Sequence, residues 1–136
     1  MQDASTILAT RATDITRLAG ELRNLLAKAG DNSFLVVNAG DPWVQFMALP
    51  QRRAFTFEAV GNEYLPKKLQ LDAERSGALA ALGFETPEQT GVNFSMERSI
   101  QGDGDFDTLA ALAVLVLFEI YRCPIETPLT YELNLE

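Results

Sequence analysis

The segment Leu109-Ala-Ala-Leu-Ala-Val-Leu-Val-Leu-Phe-Glu-Ile120 holds a single charge, Glu119, in twelve residues. A helix with no polar face must be covered all round, by its own chain or by a partner. The apolar stretch 109–118 is too short to span a bilayer, which takes about 20 residues. Membrane insertion is therefore not expected, and the rest of the chain has to supply a core around this helix or leave part of it for another protein. A chain of 136 residues has the means, because roughly 68 to 70% of the unfolded surface is buried at this size. With 47% apolar and 22% charged residues, the composition is that of an ordinary globular chain, and we read residues 1–136 as one domain.

The elements around that helix follow from hydrophobic spacing. Leu8, Ile15, Leu18, Leu22, Leu25 and Leu26 recur at helical intervals, which predicts an amphipathic helix over residues 4–29 stopped by Gly30. Ser33 to Asn38 is rich in strand formers and ends in turn residues. Trp43 to Leu49 and Ala54 to Gly61 alternate with period two, so the three runs predict an antiparallel meander. In this alternation Val44, Phe46 and Ala48 oppose Trp43, Gln45 and Met47, and Phe55, Phe57 and Ala59 oppose Thr56, Glu58 and Val60. A second helix is expected from Pro66 to Leu82, capped by Gly83 and dotted with small residues such as Gly77, Ala78 and Ala81. A further strand, Val92 to Arg98, then leads through an Asp- and Gly-rich loop into the apolar helix, and Leu129 to Leu133 could close the sheet. The fold class is α+β: N-terminal helix, three-stranded antiparallel meander, helix, further strand, and an apolar C-terminal helix packed on the sheet.

Chemistry finds little footing in these residues. The chain has no histidine and one cysteine, Cys123, so the usual general acid–base group is absent and no internal disulfide can form. Cys123 falls at a helix C-terminus, where the macrodipole opposes a thiolate. Asp103, Asp105 and Asp107 alternate like the first ligands of a calcium loop, but Thr108 stands where the turn glycine belongs and Val114 where the bidentate glutamate belongs. The bland reading is a polar loop whose Asp105 or Asp107 caps the following helix. Neither a phosphate-binding glycine loop nor a metal or cofactor site is expected. The net charge of −8 and pI near 4.5 repel phosphate backbones, so nucleic acid is not an expected partner. The first residues lack a basic start followed by an apolar run, so a secretory signal is not expected and the cytoplasm is the expected location.

Trp43 is the residue whose surroundings matter most. It shares a mixed sheet face with Gln45 and Met47, and either lies open there or is covered by a helix or the C-terminal tail. An open Trp and Met on a sheet face would suit a peptide-binding surface.

The order of elements resembles the type III secretion chaperone fold and its relatives, the CesT and YbjN-like peptide-binding chaperone domains. Ala81-Leu-Gly-Phe-Glu-Thr-Pro87 followed by Asn93-Phe94 resembles the "leucine, glycine, aromatic, x, x, proline … asparagine, aromatic" pattern of the YbjN-like group. Phe57-Glu-Ala-Val-Gly-Asn62 resembles its third strand, and Ile120-Tyr-Arg-Cys-Pro124 with Thr127-Pro-Leu-Thr-Tyr131 its closing segment, so the likeness runs from about residue 15 to 133. The chain departs from the secretion chaperones at residues 99–105, too few and too rich in Gly and Asp for the further strand found there. The resemblance implies a non-enzymatic protein, a homodimer, that holds a client segment on an apolar surface. Trp43, Gln45, Met47, Thr56 and Glu58 are the expected client-binding residues. An accessory subunit of a stable complex is the alternative, distinguished by a partner that is folded on its own.

Overall fold

The computed structural model describes residues 3–30 and 32–135. Two helices, α1 (Ala4–Thr10) and α2 (Ala12–Lys28), precede strands β1 (Phe34–Asn38), β2 (Trp43–Leu49) and β3 (Ala54–Ala59). Helices α3 (Ala73–Ala81) and α4 (Pro87–Thr90), strand β4 (Phe94–Ser99), helix α5 (Gly104–Leu115) and strand β5 (Thr130–Asn134) complete the chain. The meander is present as expected, and the closing segment joins it on the far side of β1. The result is one antiparallel sheet of order β4-β3-β2-β1-β5.

The alternation in β2 and β3 translates directly into burial. Leu35, Val37, Val44, Phe46, Ala48, Phe55, Phe57 and Ala59 are buried on one face, where α2 and α5 pack together. Phe46 stacks on Phe57 with centroids 4.6 Å apart. Phe106 of α5 meets Phe55 edge to face at 6.4 Å, and Phe84 meets Phe57 at 5.1 Å. The apolar helix is enclosed chiefly by its own chain. Leu109, Ala110, Ala113, Val114, Leu117 and Phe118 are buried, α5 continues as a π-helical turn over Val116–Ile120, and only Ala111, Leu112, Leu115 and Glu119 of the run remain half-exposed.

Four local expectations need correction. The N-terminal helix is broken at Arg11, whose backbone leaves helical geometry (φ −104°, ψ 21°). Its side chain is drawn inward, donating to the Ile125 carbonyl at 2.9 Å, pairing with Asp14 at 2.9 Å and lying 4.4 Å from the Phe118 ring centroid. The helix stops before Gly30: α2 ends at Lys28, its C-cap Ala29 turns to extended backbone, and the Gly30 N–H donates to Ser33 Oγ. The helix expected from Pro66 begins only at Ala73. The Asn62 side chain clamps the Leu71 backbone at both N–H (2.7 Å) and C=O (3.0 Å), which holds the preceding residues as short 3-10 turns. Asp72 then caps α3 by accepting from the Arg75 N–H. Gly83 does end that helix, at φ +107°.

The fourth correction concerns the Asp-rich loop. Asp105 accepts from the N–H groups of Gln101 and Gly102, while Arg23 of α2 grips Asp103 (2.8 Å) and Asp107 (3.2 Å). These carboxylates fasten the loop to itself and to α2 instead of capping α5, whose N-cap position, Asp103, makes no side-chain capping bond. Among the described residues no strand intervenes between β4 and α5, and none form a metal-binding cluster.

Candidate functional site

The face of the sheet turned away from α2 and α5 is assembled by register. Phe34 pairs with Met47, Met47 with Thr56 and Thr56 with Glu97, which makes one row across the strands. Glu132, Val36, Gln45, Glu58 and Ser95 make the next row. Asn38 stands opposite Trp43 in a third. The sheet therefore brings Trp43, Gln45, Met47, Thr56 and Glu58 together on one face, all half-buried while their sequence neighbours Val44, Phe46, Phe55 and Phe57 are fully buried. Trp43 also rests partly against the core at its end of the sheet.

Phe34 and Val36 belong to this face and were not expected there. The run Phe34-Leu35-Val36-Val37 is apolar at every position, so it has no alternation from which a face could be read. Only the pairing with β2 shows which residues turn outward. The apolar side chains Phe34, Val36, Met47 and Trp43 thus form a ridge along the two strands β1 and β2. Beside it, around the β2–β3 turn, lies a groove of about 590 Å³ bordered by Met47, Leu49, Pro50, Arg52, Thr56 and Glu97.

The polar groups of this face are unequal. Glu97 is paired with Arg52 at 2.7 Å and Glu132 accepts from the Asn38 amide at 2.9 Å. The Glu58 carboxylate has neither ion pair nor hydrogen bond among the described residues. Partial burial without a partner disfavours its charged form and raises its carboxyl from the ordinary value.

A second, smaller concavity of about 370 Å³ lies between α3 and the C-terminal half of the apolar helix. Ala78, Leu82, Leu112, Leu115 and Ile120 line it, and Glu74, Arg75, Glu119 and Arg122 edge it. Leu82 is 39% exposed.

Cys123 is not placed for reactivity. It is buried, its Sγ lies 3.6 Å from the Ala39 carbonyl oxygen, and burial pushes the thiol up to about 11. The neighbouring Tyr121 hydroxyl donates to the Val60 carbonyl, and burial raises it far above the ordinary phenol range.

The motif residues quoted above prove to be fasteners of the fold. Gly61 lies so close to Val92 that a Cβ there would stand 1.9 Å from its carbonyl oxygen, and the Gly61 N–H donates to Asn93 Oδ1 at 2.8 Å. Asn62 clamps Leu71, Phe84 packs on Phe57, and Pro87 opens α4 within a Thr86–Gln89 capping box. These residues hold the connections around β3 and β4 in place and leave the open face to others.

No helix among the described residues is long and apolar enough to cross a membrane. No curated protein and no solved structure matches the chain. A family model, TY-Chap3, described as "T3SS (YopN, CesT) and YbjN peptide-binding chaperone 3", matches residues 11–134. That span includes every strand, both sides of the sheet and the fasteners around Gly61 and Asn93, and the chain belongs to this family of peptide-binding chaperones.

Proposed function

We propose that the protein is a non-enzymatic chaperone that holds a client segment on the open face of its sheet, against Trp43, Gln45, Met47, Thr56 and Glu58 together with Phe34 and Val36. The observation that carries this reading is the ridge itself: Phe34, Val36, Met47 and Trp43, each half-buried, stand in three successive rows of β1 and β2 on the face turned away from α2 and α5. A partly exposed group of apolar side chains on a sheet face suits an interaction surface, and membership of a peptide-binding family supports a peptide as the occupant. The net charge of −8 keeps such a surface soluble and disfavours nucleic acid as a partner. The cytoplasm is the compartment this reading assigns.

The homodimer belongs to the same proposal, and the strip between α3 and α5 supports it. Its apolar lining is edged by both signs of charge, Glu74 and Glu119 with Arg75 and Arg122, so two copies related by a two-fold axis could pair opposite charges across it. The same strip favours the alternative, an accessory subunit with a folded partner.

Affinity purification of the tagged protein from its host, with mass spectrometry and sizing of the co-eluting material, tests the proposal. A stoichiometric partner that is disordered alone and lost with Trp43→Ala, while the variant keeps its fold, is the expected result. A folded partner retained by Trp43→Ala but lost with Leu82→Glu would replace the chaperone reading with the subunit one.

A further inference from the structure

Resting on the open face as the client site, we infer that its client segment is an amphipathic helix with a lysine or arginine on the border of its apolar stripe, and that Glu58 is the residue that selects it.

The helical part follows from the backbone. The N–H and C=O groups of β1, β2 and β3 are engaged by neighbouring strands on both sides. An extended segment lying on this face would find no ladder partner for its own backbone, and unpaired backbone groups shielded from water are costly. A helix pairs its own backbone and offers only side chains. With a diameter of about 10 Å against a strand spacing of about 4.8 Å, it covers roughly two strands. The apolar ridge also occupies two strands, β1 and β2, through Phe34, Val36, Met47 and Trp43.

The basic residue follows from charge. Glu58 stands on β3, next to the ridge and directly opposite Gln45. Of the three carboxylates that the strands carry on this face, Glu97 is bound by Arg52 and Glu132 by Asn38, whereas the Glu58 carboxylate has no partner among the described residues. Glu85, bridged to Ser95 beyond β4, extends the same row away from the ridge and is exposed. A helix seated on β1 and β2 would bury Glu58 further. An unpaired carboxylate buried in that way opposes binding, whereas a cation flanking the client's apolar stripe turns the same group into a charge-assisted hydrogen bond. The face thus favours a basic flank and rejects an acidic or apolar one.

The test uses fluorescein-labelled 18-residue helical peptides of one sequence, with leucines at positions i, i+3, i+4 and i+7. They differ at one border position, which is Lys, Gln or Glu, and a proline-interrupted Lys peptide serves as the non-helical control. Anisotropy titrations are run against the wild-type protein, Glu58→Gln, Glu58→Lys and Trp43→Ala, each checked for its fold by circular dichroism. The wild type is expected to prefer the Lys peptide to the Glu peptide by about tenfold or more, the scale of one charge-assisted hydrogen bond. Glu58→Gln should level the two, and Glu58→Lys should reverse the order. Equal affinities for all three border residues, or an order unchanged by Glu58→Lys, would overturn the role of Glu58 while a loss in Trp43→Ala left the face itself standing. Tighter binding of the proline-interrupted peptide would overturn the helical occupant. Binding that no peptide shows, or that Trp43→Ala leaves intact, would overturn this inference together with the face on which it rests.

Discussion

The two faces of the sheet use similar side chains to different ends. Phe46 and Met47 are consecutive in β2, yet Phe46 is enclosed among Phe55 and Phe57 beneath the helices, and Met47 lies on the open face beside Phe34 and Thr56. The inner face is stabilised by removal from water, at about 25 cal/mol per Å² of apolar surface. The outer face gains less of this in the isolated protein, because its apolar residues stay partly exposed. Its apolar residues are therefore better explained by what they can bind than by what they hold together.

Truncations on the two faces should separate these roles most sharply. Phe46→Ala is expected to lower stability by about 3–5 kcal/mol, as for other buried aromatics, whereas Met47→Ala next to it should change stability by less than about 1 kcal/mol. Urea denaturation of the pair measures the contrast, and equal losses would mean that the outer face is also core. The fasteners come next in size. In Gly61→Ala the new methyl meets the Val92 carbonyl, and a loss of about 1–3 kcal/mol is expected from overpacking. Removing the clamp with Asn62→Ala leaves the Leu71 N–H and C=O without their present partners and should cost about 1–3 kcal/mol, read in the same denaturation experiment.

The smallest effect concerns Glu58, and its sign distinguishes the faces again. A carboxyl raised in the folded state contributes stability that is present below its unfolded pKa and lost as pH rises through the folded one. Glu58→Gln removes that penalty, so the variant should be modestly more stable than wild type at pH 7, with the advantage fading below about pH 4, where the carboxyl is protonated in both states. Paired thermal melts across that range check it. A variant less stable at pH 7 would show that Glu58 serves the fold.

How much of this was legible beforehand depended on whether a residue's neighbours lie close in sequence. The alternation in β2 and β3 depends on local period, so Trp43, Gln45, Met47, Thr56 and Glu58 could be grouped from sequence, and the structure places them on one face. Phe34 and Val36 were hidden by a run with no alternation, and their side is set only by pairing with β2. The breaks at Arg11 and before Ala73 were hidden for another reason. Each is produced by a side chain reaching across the fold, Arg11 to Ile125 and Asn62 to Leu71, and such bonds override helical spacing. The quoted family motifs were legible as a pattern, but their work at Gly61, Asn62 and Asn93 could be read only from the contacts they make.

Two methionines divide the faces and provide their own control. Met47 is on the open face, whereas Met96 is buried on β4, and Trp43 is the sole tryptophan. Nuclear magnetic resonance of the protein with methyl-labelled methionine, titrated with the client peptide recovered by affinity purification, can therefore follow both faces at once. The account predicts that the Met47 methyl and Trp43 indole signals shift in proportion to bound peptide while the Met96 methyl stays in place. A bound peptide that leaves Met47 and Trp43 unmoved would contradict the open face as the client site.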